Sequence, residues 1–173
     1  MHTKSNIRNI VKDILSEHGI TKAPVAVEDI VKKYGAEVQY RPFKESVSGF
    51  SYSEDGKKII GINVTESSMR QRFTLAHELG HLKLGSGGLH YDQGSPINFR
   101  DKVSATGIRK KEVDANFFAA ELLMPKDMLI ADLQAIQEKT QDSETVAEQL
   151  AEKYNVSFFA MNVRLASLGL VSI

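Results

Sequence analysis

Apolar residues at Ile7, Ile10, Val11, Ile14 and Leu15 recur at helical steps, which predicts an amphipathic helix ending near Gly19. A second, short helix is predicted over Val27–Tyr34, after Pro24 and before Gly35. The pattern then turns to strands: Ala36–Tyr40 with Val38 and Tyr40 on one face, then Ser48–Tyr52 and Lys58–Val64, with Asp55-Gly56 as a hairpin signal. Arg70–Leu84 is periodic and nearly free of breakers until Gly85, and Lys110–Leu123 is helical and closed by Pro125. Asp127–Gln137, Thr145–Tyr154 and Ser157–Leu168 read as three further helices, the last stopped by Gly169. Between the two central helices, Ser86–Gly107 is rich in Gly and Ser and has no clean period. A connection of that length is a lid over a site or a tolerated insertion. The expected fold class is α+β, mostly helical, with a small three-stranded antiparallel sheet. Residues 1–125 form the expected core, and 126–173 a C-terminal helical extension packed on it, with a helix-turn-helix-like pattern.

Composition narrows the chemistry. The chain has 173 residues and no cysteine, which excludes disulfides, thiolate zinc sites and Cys nucleophiles. Lys+Arg 22 balances Asp+Glu 22, so the basic excess of a nucleic-acid binder is missing and direct nucleic-acid binding is not expected. Apolar runs are only a few residues long, so no segment is expected to span a membrane. Met1–Ile7 lacks the apolar stretch of a secretory signal, and the expected location is the cytoplasm.

The helix over Arg70–Leu84 contains His77-Glu78-Leu79-Gly80-His81, an HExxH motif. Residues four apart lie one above the other on a helix, so both imidazoles can share one cation. A catalytic zinc site keeps three protein ligands and a water. Glu78, next to the first histidine, can reach that water and act as general base without binding the metal. The alternative is two histidines satisfied by carbonyls. Phe73, Leu75, Ala76, Leu79, Leu82 and Leu84 make the helix a buried one, where such side chains are costly unless bonded or liganded. Gly80 is disfavoured mid-helix by about 1 kcal/mol against Ala, which points to close approach of another element or of substrate.

A third ligand must come from elsewhere. On the helix over Lys110–Leu123, Glu112, Ala115, Asn116, Ala119 and Leu123 share one stripe, small beside the carboxylate and apolar beyond it. Packed on the Gly80 face, that stripe brings Glu112 to the metal and lets Asn116 orient a ligand imidazole. Asp114, about 200° around the helix from Glu112, is expected to face solvent and is the alternative ligand. Glu112 could instead be only a first-turn acid favourable to the helix dipole. Two histidines and a carboxylate suit zinc well, without excluding manganese or iron.

The run Arg70-Gln71-Arg72-Phe73-Thr74-Leu75-Ala76-His77-Glu78-Leu79-Gly80-His81 resembles the ImmA/IrrE-like metallopeptidases. So do the run from Glu112 to Pro125, the flank Pro24-Val25-Ala26-Val27 and Ile60-Gly61-Ile62-Asn63. The resemblance implies a zincin-like core and a gluzincin-like, zinc-dependent endopeptidase acting on a helix-turn-helix repressor to release stress-response or mobile-element genes. It assigns the metal to His77, His81 and Glu112, and catalysis to Glu78. Many relatives carry another His shortly after the second ligand, where this chain has Gly85. His90 and Tyr91 are then the candidates for stabilising the oxyanion.

Two rival readings have different chemistry. The first is an anti-repressor that acts by binding alone, with zinc as a structural staple. The second is DNA binding through Val146–Leu168, whose last helix offers mainly Asn162 and Arg164 as polar reach among core-like residues. Lys32-Lys33 and Arg109–Lys111 read as solvated, His2 and His18 as surface residues, and Met124 as a helix-end core contact.

Overall fold

The computed structural model describes residues 2–43, 47–85, 88–92, 107–140 and 142–170. In chain order they form helices α1 (Lys4–Glu17) and α2 (Val27–Lys33), then strands β1 (Glu37–Arg41), β2 (Gly49–Glu54) and β3 (Lys57–Asn63). Helix α3 (Ser68–Lys83) and strand β4 (Gly88–Asp92) follow, then α4 (Gly107–Leu123), α5 (Lys126–Gln137), α6 (Ser143–Tyr154) and α7 (Phe158–Ser167). Short polar side chains begin several of the helices. Thr3, Ser67, Asp142 and Ser157 each accept a hydrogen bond from the backbone N–H three residues on. Gly85, at φ +81°, ends α3 in the left-handed conformation that the sequence anticipates.

The fold class is α+β, as expected, but the sheet is mixed and has four strands in the order β1-β3-β2-β4. Asp55 and Gly56, at φ +49° and +76°, make the tight turn of the β2–β3 hairpin. β1 lies beyond β3 and runs parallel to it, with Val38 opposite Ile60. A purely antiparallel order would have left β3 at an edge. Its Ile60 and Ile62 are fully buried, so the most apolar strand takes a central place with both edges paired. β4 falls inside the segment expected to have no period, pairing antiparallel to β2 with Ser51 opposite His90. Residues 86–87 and 93–106 of that segment, and with them the lid alternative, lie outside the described residues.

One apolar cluster runs from Ile7 and Val11 of α1 through Ile60, Leu79 and Phe118 to Leu150 of α6 and Leu165 of α7. Helix α3 packs between the sheet on one side and α4 on the other. Met124 sits in this core, as expected. Arg164 does not reach outward. Its guanidinium is buried, with Nη2 2.8 Å from Glu121 Oε2 and Nε donating to the Met124 carbonyl at 3.1 Å. Arg8 Nε meets the same carboxylate at 2.8 Å, so Glu121 ties α1, α4 and α7 together. No helix among the described residues is long and apolar enough to cross a membrane.

Removing one member of a buried ion pair leaves the other desolvated and alone, and typically costs about 3–5 kcal/mol. Arg164→Ala is expected to lower unfolding free energy by about 3 kcal/mol, since Arg8 keeps one contact with Glu121. Arg8→Ala, from the more exposed partner, is expected to cost less than about 1 kcal/mol. Urea denaturation of the two variants checks the order; equal losses would refute the burial argument.

Candidate metal centre

Enclosure defines the central helix. Nine consecutive residues of α3, Thr74–Leu82, are buried, including His77, Glu78 and His81. The four-residue spacing brings the two imidazoles together as expected, with Nε2 atoms 3.0 Å apart and rings nearly perpendicular. His77 Nδ1 lies 3.1 Å from Asn116 Oδ1. An amide oxygen only accepts, so Nδ1–H donates and the Nε2 lone pair is left to face the cluster.

The third member is Glu112. Its Oε2 is 3.4 Å from His77 Nε2 and its Oε1 is 3.4 Å from His81 Nε2. Among the described residues, His77, His81 and Glu112 form a group able to converge on one ion, with ligand atoms within 4.8 Å of one another. Bonds of about 2.0–2.1 Å in a tetrahedron put neighbouring ligand atoms roughly 3.3 Å apart, so the spacings here fit a zinc-sized ion. Asp114 stands elsewhere. It neither joins the cluster nor faces open solvent, because Lys110 Nζ covers its carboxylate at 2.9 and 3.1 Å.

Glycines on two sides make the arrangement possible. A Cβ on Gly80 would lie 3.0 Å from Phe118 Cδ1 and 3.3 Å from the Ala115 backbone, so α3 and α4 touch almost main chain to main chain. That is the close approach the sequence implied. On the sheet side, a Cβ on Gly49 would lie 2.5 Å from Thr74 Cγ2 and 3.7 Å from Glu78 Cγ. Gly49 was not singled out from the sequence, although a glycine inside a strand signals that something passes close by.

Other expectations meet a different outcome. His2 and His18 are half-buried and lie at the carbonyls of Leu84 (3.1 Å) and Ile14 (2.7 Å) respectively. A carbonyl only accepts, so both imidazoles are the donors. Lys32, Lys33 and Lys111 are exposed as expected, and Lys110 is half-exposed with its Nζ engaged with Asp114. His90 and Tyr91 have backbone positions in β4 opposite Ser51 and Phe50, and their side chains lie outside the described residues.

Residues 31–166 match the sequence profile of the IrrE N-terminal-like domain, a peptidase family. The chain is similar to metallopeptidase ImmA of Bacillus subtilis (strain 168), at 25% identity over 171 residues, covering 98% of this chain and 89% of that protein. It is 30% identical over 117 residues to a protein of Bacillus phage phi105 named uncharacterized immunity region protein 2, covering 61% of this chain and 70% of that one. A solved Mycobacterium tuberculosis transcriptional regulator shares the fold, with a TM-score of 0.62 and 18% identity. The match covers 94% of this chain but only 46% of that longer one.

Gly80→Ala tests the contact between the helices. Helix propensity alone would stabilise the variant by about 1 kcal/mol. With buried backbone and a buried ring in the way, overpacking is expected to win, for a net loss of about 1 kcal/mol in denaturant unfolding. A gain in stability would show that the helices separate without cost.

Proposed function

The chain belongs to the IrrE N-terminal-like peptidase family, and on that footing we propose that it is a zinc-dependent endopeptidase that cleaves a helix-turn-helix transcriptional repressor in the cytoplasm. The observation that carries this reading is the convergence of His77, His81 and Glu112 from two helices onto one ion-sized space. The donor set supports zinc: two imidazole nitrogens and one carboxylate, with an orienting amide behind one imidazole. The repressor is supported by the names of two relatives, an immunity-region protein and a transcriptional regulator.

His77, His81 and Glu112 would hold the zinc ion, which would supply Lewis acidity toward the scissile carbonyl and the attacking water. Glu78 is the general base. Its carboxylate takes a proton from the attacking water as the water oxygen bonds to the carbonyl carbon. It then gives that proton to the amide nitrogen as the C–N bond breaks. Asn116 fixes the His77 ring through Nδ1, and the sheet behind Glu78 shuts out bulk water from that side. Glu112, with a side chain 32% exposed against 3% for His77, marks the direction from which substrate reaches the centre.

Replacing the base should stop chemistry and spare the ion. Glu78→Gln is expected to lower the rate of cleavage of a helix-turn-helix repressor from the same genome by about 10²–10⁴-fold. Its zinc content, read by elemental mass spectrometry, should equal that of wild type. Retention of most of the activity would remove Glu78 from the role of base. If wild type and Glu78→Gln both lift the repressor from DNA with no cut chain in the mass spectrum, the binding-only anti-repressor replaces the enzyme.

Metal content also decides the ligand set. Zinc close to one per chain is expected in the wild type and in Asp114→Ala, both purified without added metal or an affinity tag. Glu112→Ala should hold little, because two histidines remain where a catalytic zinc site uses three protein ligands. Loss of zinc in Asp114→Ala alone would exchange the two carboxylates.

A further inference from the structure

The three side chains of the centre are not held equally. His77 and His81 are almost completely enclosed, the second of them in the last turn of α3, whereas Glu112 is a third exposed and stands only five residues past the start of α4. Helix ends fray, and the Gly80–Ala115 contact pins α4 only from the middle onward. Something must hold the first turns of α4 if the Glu112 carboxylate is to stay near both imidazoles.

A polar chain does this from the opposite direction. Lys110 Nζ donates to both oxygens of Asp114, one turn on, and to the backbone carbonyl of His2 at 3.2 Å. His2 in turn donates its Nε2–H to the carbonyl of Leu84, the residue that caps the C-terminus of α3, at 3.1 Å. The link therefore runs from the end of the histidine-bearing helix, through His2, to the two residues that bracket Glu112 at positions −2 and +2. His2 is no loose end. The next residue, Thr3, caps α1, and α1 lies against α4 through Arg8 and Glu121 and through Lys4 and Arg8 over the Phe117 ring.

We propose that Lys110 is a positioning residue for the third metal-holding side chain: by joining Asp114 to the His2 carbonyl it locks the start of α4 onto the end of α3 and preorganises Glu112. The inference rests on the reading of His77, His81 and Glu112 as the metal-holding set. Its chemical logic is that of any group which orients a ligand from behind, where loss of the support typically weakens metal binding by about 10–100-fold. Lysine suits the place because one ammonium offers three donors, enough for a carboxylate and a carbonyl at once.

The test is zinc affinity of the full chain, by competition with a chromophoric chelator, for wild type, Lys110→Met, Lys110→Arg and Glu112→Gln. Thermal unfolding of the metal-free proteins runs alongside. Lys110→Met keeps the side-chain stem and removes the donors, and zinc binding is expected to weaken by about tenfold with the metal-free midpoint close to wild type. Lys110→Arg should recover most of the affinity, since a guanidinium can serve both acceptors. Binding by Lys110→Met within about twofold of wild type, well short of the usual effect of an orienting group, would overturn the proposal. So would a lower metal-free midpoint with unchanged affinity, which is the mark of a purely structural link. If wild type takes no zinc, or Glu112→Gln binds like wild type, the metal-holding set itself has failed and the proposal falls with it.

Discussion

A polar side chain taken out of water without a partner costs roughly 2–7 kcal/mol, and an isolated charge considerably more. Helix α3 nonetheless carries His77, Glu78 and His81 through the most enclosed layer of this protein, between the sheet and α4. Packing cannot offset that burden, because positions around these groups are kept small rather than filled: Gly49 on β2 beside Glu78, and Gly80 on α3 against Ala115 of α4. The surroundings offset it by convergence. Asn116 meets the His77 ring, the two Nε2 atoms meet each other, and Glu112 closes on both. A helix built only to fill a core would carry leucine at these places. The arrangement makes sense as a set of lone pairs aimed at one point.

Convergence of that kind demands that α4 keep its register against α3 to within a few tenths of an ångström. The two helices run in opposite directions, since His77 meets Asn116 while the end of α3 reaches Lys110 by way of His2. Three different interactions hold α4 along its length. Near its start there is the polar link through His2, in its middle the almost bare contact of Gly80 with Ala115, and near its end the Glu121 carboxylate between Arg8 and Arg164. The first is directional and partly wet, the second steric and dry, the third ionic and buried. Sliding α4 by one residue would break all three at once, which is why a single arrangement is specified.

The parts of this that the sequence disclosed are those governed by local spacing. A four-residue step places His77 over His81 wherever the helix ends up, and the same arithmetic put Glu112, Ala115, Asn116 and Ala119 on one stripe. Gly80 was legible because a glycine in mid-helix has a penalty that something must justify. Strand order was not legible. Nothing in Ala36–Tyr40 says whether it pairs with the next strand or the one after, and the choice was made by the greater apolar surface of β3 demanding a central place. β4 was hidden because Gly88-Leu89-His90-Tyr91-Asp92 is too short and too polar to outweigh the glycines around it. Arg164 read as a side chain reaching outward because its partners, Glu121 and the Met124 carbonyl, lie 43 and 40 positions away in the chain. Pairing over such separations leaves no periodic trace. The same holds for His2, whose partner Leu84 is 82 residues off.

The metal-holding set proposed here has a consequence for how the whole chain hangs together. Two of its members sit on one helix and are neighbours even in an isolated turn, but the third comes from α4, so the complete set exists only when α3 and α4 are docked. An ion that requires all three then binds the folded chain alone and stabilises it by mass action. Docking of α4 depends in turn on α7, because Arg164 secures the Glu121 end of α4 from inside the core. Helices that contribute no side chain to the centre are thus coupled to it energetically, through one buried carboxylate. On this argument residues 126–173 are more than a cover for the core. They brace the helix that carries the third ligand, and loosening them should reach the centre without any change in the groups that form it.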